Sequence, residues 1–423
     1  MSSVSQLHRA AGLFVFPTAK AQFAKEVKQS QVLGSLWRKD QKDEAAHAIN
    51  AESTLPLDLK PKIEIYEEIR QENADSSTVA LKLKQSYGYG KALMHFYKTG
   101  VSNVWRNRKE VKELRKYQFK LSDNVNSKGK DVDIRIPGFS KLTSDMAQAL
   151  YISQIETKTE KDKNSGHIIK KSGSVSKKLI DTGLFNMSRS QFQLIRRTNS
   201  DLSKIPWFLV VLLIFMESTP LVCYAFPQLT PSTCVLPSIL PRLWSPGSVD
   251  KLHKLTSKAL ESKDIADLAL RNAYNLPIEE VRLLSTSLRL TSKFIPAYLY
   301  GESLLRRRLQ EYYNYLKVDN YYLSGLNGEN SGNVWNLSKQ ELLLACLERN
   351  LIRDLKKDVQ SYQEIKDEAE RSSKEAEFYT KLRLRLFQFI VDFEKYNIGY
   401  LGLGHLLKDA EAPDTILEWR SKN

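Results

Sequence analysis

Cysteine is nearly absent from this chain: three in 423 residues, at Cys223, Cys234 and Cys346. None forms a C-x-x-C pair, which disfavours a disulfide scaffold and excludes a thiol-rich metal site. Histidine is as sparse. His8, His47, His95, His167, His253 and His405 stand far apart, and no H-E-x-x-H exists. The G-x-x-x-x-G-K-[ST] phosphate loop is missing, as are the D-x-[DN]-x-[DN]-G calcium loop and the G-x-S-x-G elbow. Gly88-Tyr89-Gly90 and Gly402-Leu403-Gly404 lack the rest of a dinucleotide fingerprint and read as packing or turn glycines. These absences disfavour a hydrolytic or redox enzyme and imply no cofactor. The expectation is a protein that works by binding.

Acid is scarce in the N-terminal half. The first 25 residues hold Arg9, Lys20 and Lys25, and the first acid is Glu26. With Ser, Ala and bulky apolar residues filling the rest, residues 1–25 have the composition of a mitochondrial presequence; a disordered N-terminus is the alternative. Of the net charge of +15, +14 lies in residues 1–204, whereas 248–423 hold 27 Lys/Arg and 26 Asp/Glu. A basic half points to an anionic partner, such as RNA, anionic lipid or an acidic protein, or serves only solubility and targeting.

Long apolar runs are also lacking, with one exception. Residues 205–226 (IPWFLVVLLIFMESTPLVCYAF) carry a single charge, Glu217. The length suits a membrane span. Trp207 and Tyr224 stand near its ends as interfacial aromatics do. A buried soluble helix is the competing reading. Pro220 predicts a kink, because its ring clashes with the carbonyl of Met216 and it has no N–H to donate. Glu217, Ser218, Thr219 and Pro220 would then form a polar patch, able to bind a cation or proton or to dock a helix. Alternatively, Glu217 sits near an interface because the span is shifted.

The rest of the chain reads as helix. Residues 26–55 look loosely ordered, 57–120 helical, 121–140 a loop, and 142–156 helical again. A Lys-, Ser- and Gly-rich linker occupies 157–180, and a basic helix over 187–202 leads into the span. Pro227, Pro231, Pro237, Pro241 and Pro246 forbid a regular helix after it. Beyond that, Ser248 reads as an N-cap, Pro277 as a first-turn proline, 302–317 as a basic helix, 324–334 as a loop, and Ser338…Glu341 as a capping box. The expected organisation is a presequence (1–25), a basic helical region (26–180), a membrane-anchoring segment with its Pro-rich exit (181–247), and a C-terminal helical domain (248–423).

Several motifs in this order resemble the LETM family of mitochondrial inner-membrane proteins. They are Phe215-Met216-Glu217…Pro220…Phe226-Pro227…Pro231-Ser232-Thr233, the basic run 184–202, Lys317-Val318-Asp319 taken as a turn, and Ala345-Cys346…Arg349. The resemblance covers roughly 185–405. It implies an all-α fold, in which a single kinked transmembrane segment is followed by a 14-3-3-like, ribosome-binding helical bundle. It also implies a matrix-facing C-terminal domain in the inner membrane, although Arg189, Arg196, Arg197 and Lys204 before the span outnumber Arg242 after it. Either presequence-driven import overrides the charge rule, or the kinked segment does not fully cross, a re-entrant bend at Pro220 leaving both sides in the matrix.

Two functions come with that resemblance. One is a biogenesis factor that engages the mitoribosome or an inner-membrane insertase and supports insertion or export of mitochondrially encoded proteins. Its rRNA contact would fall on Arg306, Arg307, Arg308, Tyr312 and Arg349, with lipids of the inner membrane as further partners. A solvated helix face is the plain alternative for Arg306–Arg308. The other function is exchange of potassium or calcium for protons through Glu217, which a single span supports only as a homo-oligomer.

Overall fold

The computed structural model describes residues 13–39, 42–60, 62–73, 77–116, 118–121, 132–164, 184–215, 218–236, 239–244, 246–261, 264–292, 295–365, 367–409 and 416–418. Among them the chain is helical apart from one short ladder. Strand Gln118–Leu121 pairs antiparallel with Val132–Arg135. The ladder spans the end of the expected helical region (57–120) and the expected loop (121–140), because four alternating residues on each side are too few to stand out as strand. The helix after it, Phe139–Asn164, extends into the expected linker.

Two compact units form, and neither is continuous in sequence. Unit 1 gathers residues 1–50, 118–190 and 244–423; unit 2 gathers 51–117 and 191–243. The expected boundaries at 180 and 247 do not follow this division.

Unit 1 is a helical bundle built on Glu302–Leu323 and Glu368–Phe393. Each presents an apolar stripe. On the first, Leu305, Leu309, Leu316 and Leu323 are fully buried; on the second, Leu386, Phe387 and Phe393 are. The steps of four and seven residues on the first helix, and of seven from Leu386 to Phe393 on the second, are those of one helix face. Phe139–Asn164 packs on the first helix, and Lys339–Leu347 on the second. Ser338 caps Lys339–Leu347 as expected, its Oγ accepting from the Glu341 N–H at 3.3 Å. The expected loop at 324–334 is confirmed by left-handed backbone at Gly325, Gly328 and Gly332.

The N-terminal reading changes most. Residues 26–55 are ordered as helices Lys20–Gln29, Gln31–Trp37 and Lys42–Ile49 rather than loose. Several of their apolar residues are spent on the core: Phe23, Leu36 and Ile49 are fully buried. Part of the expected presequence belongs to the same core. Leu13, Phe16 and Phe23 are buried, and Phe16 lies against Phe23 at 5.8 Å and Phe387 at 5.2 Å between ring centroids. The Phe14 N–H donates to Asp392 at 2.7 Å, and Gln388 donates to the Phe14 carbonyl at 2.8 Å.

Unit 2 is held by two long helices, Thr78–Leu114 and Arg189–Phe215, whose first two residues belong to unit 1. The shorter Lys62–Glu72 packs along the former. Gly100 sets how closely chain passes there: a Cβ on it would stand 2.6 Å from Cys234 Sγ and 2.7 Å from the Thr233 carbonyl oxygen. The prolines after residue 226 produce two 3-10 turns, Pro227–Leu229 and Ser232–Cys234, in place of a regular helix.

Candidate functional site

Two places concentrate the residues singled out from sequence: the apolar segment in unit 2, and a buried ion cluster in unit 1.

The apolar segment is not one kinked helix. The Arg189–Phe215 helix absorbs the basic run and the first half of the expected span, and passes through Pro206 without ending. A separate helix, Thr219–Ala225, follows with Pro220 in its first turn. A proline is harmless there, because the N–H it lacks has no helical partner. Of the expected polar patch, Ser218 is exposed, Thr219 is fully buried and Pro220 is half-buried, while Glu217 lies outside the described residues.

The segment leaves and rejoins the unit at one level. On the way out, Asp201 is buried and accepts from the Ser232 N–H at 2.8 Å and from its hydroxyl. Ser232 Oγ also donates to the Thr54 carbonyl at 3.1 Å, and Arg197 donates to the Thr54 hydroxyl at 3.0 Å. Residues 201 and 232 are thereby clasped together. Between them, Phe208 is fully buried and its ring lies 5.7 Å from Tyr97, and Cys223 is buried on the return. Beyond Phe208 the side chains turn outward. Leu213 is 77% exposed, Ile214 67% and Leu221 71%, with Val210 and Phe215 also exposed. This helix is long and apolar enough to cross a membrane by length and composition.

In unit 1, Arg189 and Arg349 meet Asp319 and Glu341 with no solvent exposure to speak of. Arg189 Nε donates to Asp319 Oδ1 at 2.8 Å, and its NH1 donates to Glu341 Oε2 at 3.1 Å and to the Ile49 carbonyl at 2.7 Å. Arg349 donates to Asp319 Oδ2 at 2.6 Å, to Asn320 Oδ1 at 2.8 Å and to the Ala345 carbonyl at 2.9 Å. Two cations face two carboxylates, so the group is neutral overall. Burial alone would raise the Asp319 carboxyl, but the two guanidinium groups outweigh it and hold it well below its ordinary value. Burial likewise works against the Arg189 charge and is overcome by Asp319 and Glu341. An ion cluster this deep ties its helices together, because parting them would leave charges buried without partners.

The expected RNA contacts are taken up by the fold. Arg349 belongs to the buried cluster. Tyr312 is buried, and its hydroxyl donates to the Glu348 carbonyl at 2.6 Å. Arg306 donates to the carbonyls of Ala273, Tyr274 and Leu276 at 2.6–3.0 Å. Arg308 donates to the Leu290 carbonyl at 2.7 Å. Arg307 differs: it is 68% exposed beside Glu311. Lys317-Val318-Asp319 is not a turn but lies within Glu302–Leu323. There Lys317 caps the end of Glu368–Phe393, donating to the Phe393 carbonyl at 2.7 Å. Sequence reading missed the Asp201–Ser232 clasp and the role of Arg189. Their partners lie 31 to 152 residues away, beyond any local signal.

A helical bundle fixed by a buried ion cluster, and a second helical unit with one helix long and apolar enough to cross a membrane, define the class of this protein. The chain belongs to the pentamidine resistance factor family: residues 49–325 match the family model described as the Pentamidine resistance factor domain. It is 24% identical, over 74% of its own length and 70% of the relative's, to the mitochondrial pentamidine resistance factor of Saccharomyces cerevisiae. No solved structure matches the chain.

This family replaces the LETM resemblance. The motifs behind that resemblance have local structural reasons here. Pro231-Ser232-Thr233 makes the turn that returns the hairpin to Asp201, and Ala345…Arg349 is a helix end whose arginine pairs with Asp319. The 14-3-3-like bundle, ribosome binding and cation/proton exchange lose the kinship they rested on.

Proposed function

We propose that this chain is a mitochondrial inner-membrane factor that supports insertion or export of membrane proteins made inside the organelle, through contact with the insertion machinery. One observation carries the membrane part: the exposed apolar side chains Val210, Leu213, Ile214, Phe215 and Leu221 at one end of unit 2. Bare apolar surface of that density marks a membrane or protein interface. The name of the yeast relative supports the mitochondrial part. In this reading the partner is a protein of the insertion apparatus rather than ribosomal RNA, since Arg306, Arg308 and Arg349 are committed to the fold. The C-terminal region faces the matrix.

The test is deletion followed by pulse labelling of mitochondrial translation products. The expected result is normal synthesis with a fraction of newly made membrane proteins left uninserted, judged by carbonate extraction and protease access in mitoplasts. Insertion at the normal rate without the protein sinks the proposal.

A further inference from the structure

Four features of unit 2 bear on how it meets a membrane. The first is reach. Phe208 is held against Tyr97, and from Phe208 to Phe215 is seven residues, about 10 Å of helix. A bilayer core is about 30 Å thick. The N-terminal part of the same helix is not free to lengthen the span, because Phe192, Ile195, Asp201 and Ile205 are buried in the unit.

The second is the clasp. Ser232 bonds Asp201 through both its N–H and its hydroxyl, so the outgoing and returning chain stand at one level. Two residues, 216 and 217, join the described arms, and the three peptide units from Phe215 to Ser218 extend no more than about 11 Å. The two arms therefore turn back on each other. Ends that are bonded together cannot lie on opposite faces of a bilayer.

The third is the rim. At the level of Phe208 the exposed residues change from aliphatic to amphipathic: Trp207 is 67% exposed, and Tyr224 is exposed on the return arm. Tryptophan and tyrosine favour the headgroup layer. The fourth is charge. Residues 78–109 contain Lys82, Lys84, Lys91, Lys98, Arg106, Arg108 and Lys109 and no acid. Lys91 and Lys98 are exposed and flank Tyr97, the residue that receives Phe208.

We infer that the two arms, residues 205–215 and 218–226, enter one leaflet of a bilayer rich in anionic phospholipid as a re-entrant pair. The chain is thereby held on one face of the membrane and does not cross it. The tip supplies apolar area to the acyl boundary, and the lysines meet the headgroup charge, as in other interfacial anchors. This inference rests on the membrane association proposed above, but needs no protein partner.

The experiment uses the purified full chain, tagged at both ends, on preformed vesicles of phosphatidylcholine alone or mixed with phosphatidylglycerol. Flotation should show binding to the mixed vesicles at least tenfold above that to neutral ones, weakened by salt. The Leu213→Glu/Ile214→Glu double variant should lose it at least tenfold while keeping its far-ultraviolet dichroism, since both side chains are already in solvent. Lys91→Glu/Lys98→Glu should remove the preference for anionic vesicles. Protease added outside should remove both tags.

Protection of one tag would overturn the inference in favour of a span. Equal flotation of the tip variant would overturn it as well, and self-association or capture of a protein through an intact tip, without lipid binding, would assign the surface elsewhere. Because the vesicles contain no insertion machinery, failure here leaves the insertion role standing. Normal lipid binding beside normal insertion in deleted cells sinks only that role.

Discussion

The two units treat their large apolar side chains differently. Unit 1 buries an ion cluster, where Arg189, Arg349, Asp319 and Glu341 neutralise one another, and turns most of its large apolar side chains inward. Unit 2 also buries charge, at Arg197 and Asp201, but leaves far more apolar surface in solvent. Among the described residues, 15 of the 21 exposed large apolar side chains belong to it, although it is the smaller unit. A soluble domain of that size gains nothing by leaving Leu213, Ile214 and Leu221 in water, at about 25 cal/mol for each Å² not buried. The difference locates stability in unit 1 and contact with a nonaqueous partner in unit 2.

The largest effect should come from breaking the unit 1 cluster. Arg349→Met leaves Asp319 half-paired and Asn320 without its donor, and Arg189→Met takes one cation from both acids, leaving Asp319 with Arg349 alone. Each should cost about 3–5 kcal/mol, because an uncompensated charge stays buried. The check is the urea midpoint of the full chain. Adding Asp319→Asn to Arg349→Met should recover part of the loss. A midpoint unmoved by either arginine substitution would mean that the cluster contributes nothing.

A second buried carboxyl in unit 1 gives the contrast a pH axis. Burial pushes Asp392 up to about 7 from its ordinary 3.8, against the pull of the Tyr400 hydroxyl and the Phe14 N–H. Between those values the folded state keeps a proton that the unfolded chain has lost. Stability from this group therefore falls as pH rises through the window and levels off above about 7. The slope is at most ~1.4 kcal/mol per pH unit. Asp392→Asn should flatten it, as read by thermal unfolding at successive pH values. An unchanged slope would acquit Asp392. Unit 2 is tested more gently at Gly100. There an alanine Cβ would press on Cys234 and Thr233, which should cost about 1–3 kcal/mol and expose 51–117 and 191–243 to limited proteolysis before unit 1.

How much of this was legible depends on the range of the signal. Helices announced by local chemistry were readable: the Ser338 cap, the glycine-rich 324–334 loop and the proline-broken exit all stand where expected. Gly402 read as a packing glycine, and a Cβ on it would meet Thr256 at 3.0 Å. What failed was long-range. Residues 26–55 read as loosely ordered, yet Trp37 packs on Phe387 together with Phe14 and Phe16 of the expected presequence. Residues 205–226 have the composition of a span, and composition does not reveal that Asp201 and Ser232 tie its ends together. Arg349 looked like a surface cation because its acid lies 30 residues back, on another helix.

The smallest predicted effect sharpens the contrast most cheaply, within one run of three arginines. Arg306 and Arg308 donate to carbonyls of neighbouring segments, so Arg306→Ala should cost about 1–3 kcal/mol through acceptors left without a donor. Arg307 stands 68% exposed, 3.8 Å from Glu311 on the same helix. An exposed pair at this spacing is worth about 0.3–0.5 kcal/mol, so Arg307→Ala should leave the urea midpoint almost where it was. Among the arginines once expected to touch RNA, Arg307 is thus the residue whose loss reports on binding without disturbing the fold. If unit 1 meets ribosomal RNA after all, Arg307→Glu should weaken salt-sensitive co-sedimentation with mitoribosomes at unchanged stability. If it does not, sedimentation should be the same for the variant and the parent, and contact with a partner stays with the apolar tip of unit 2.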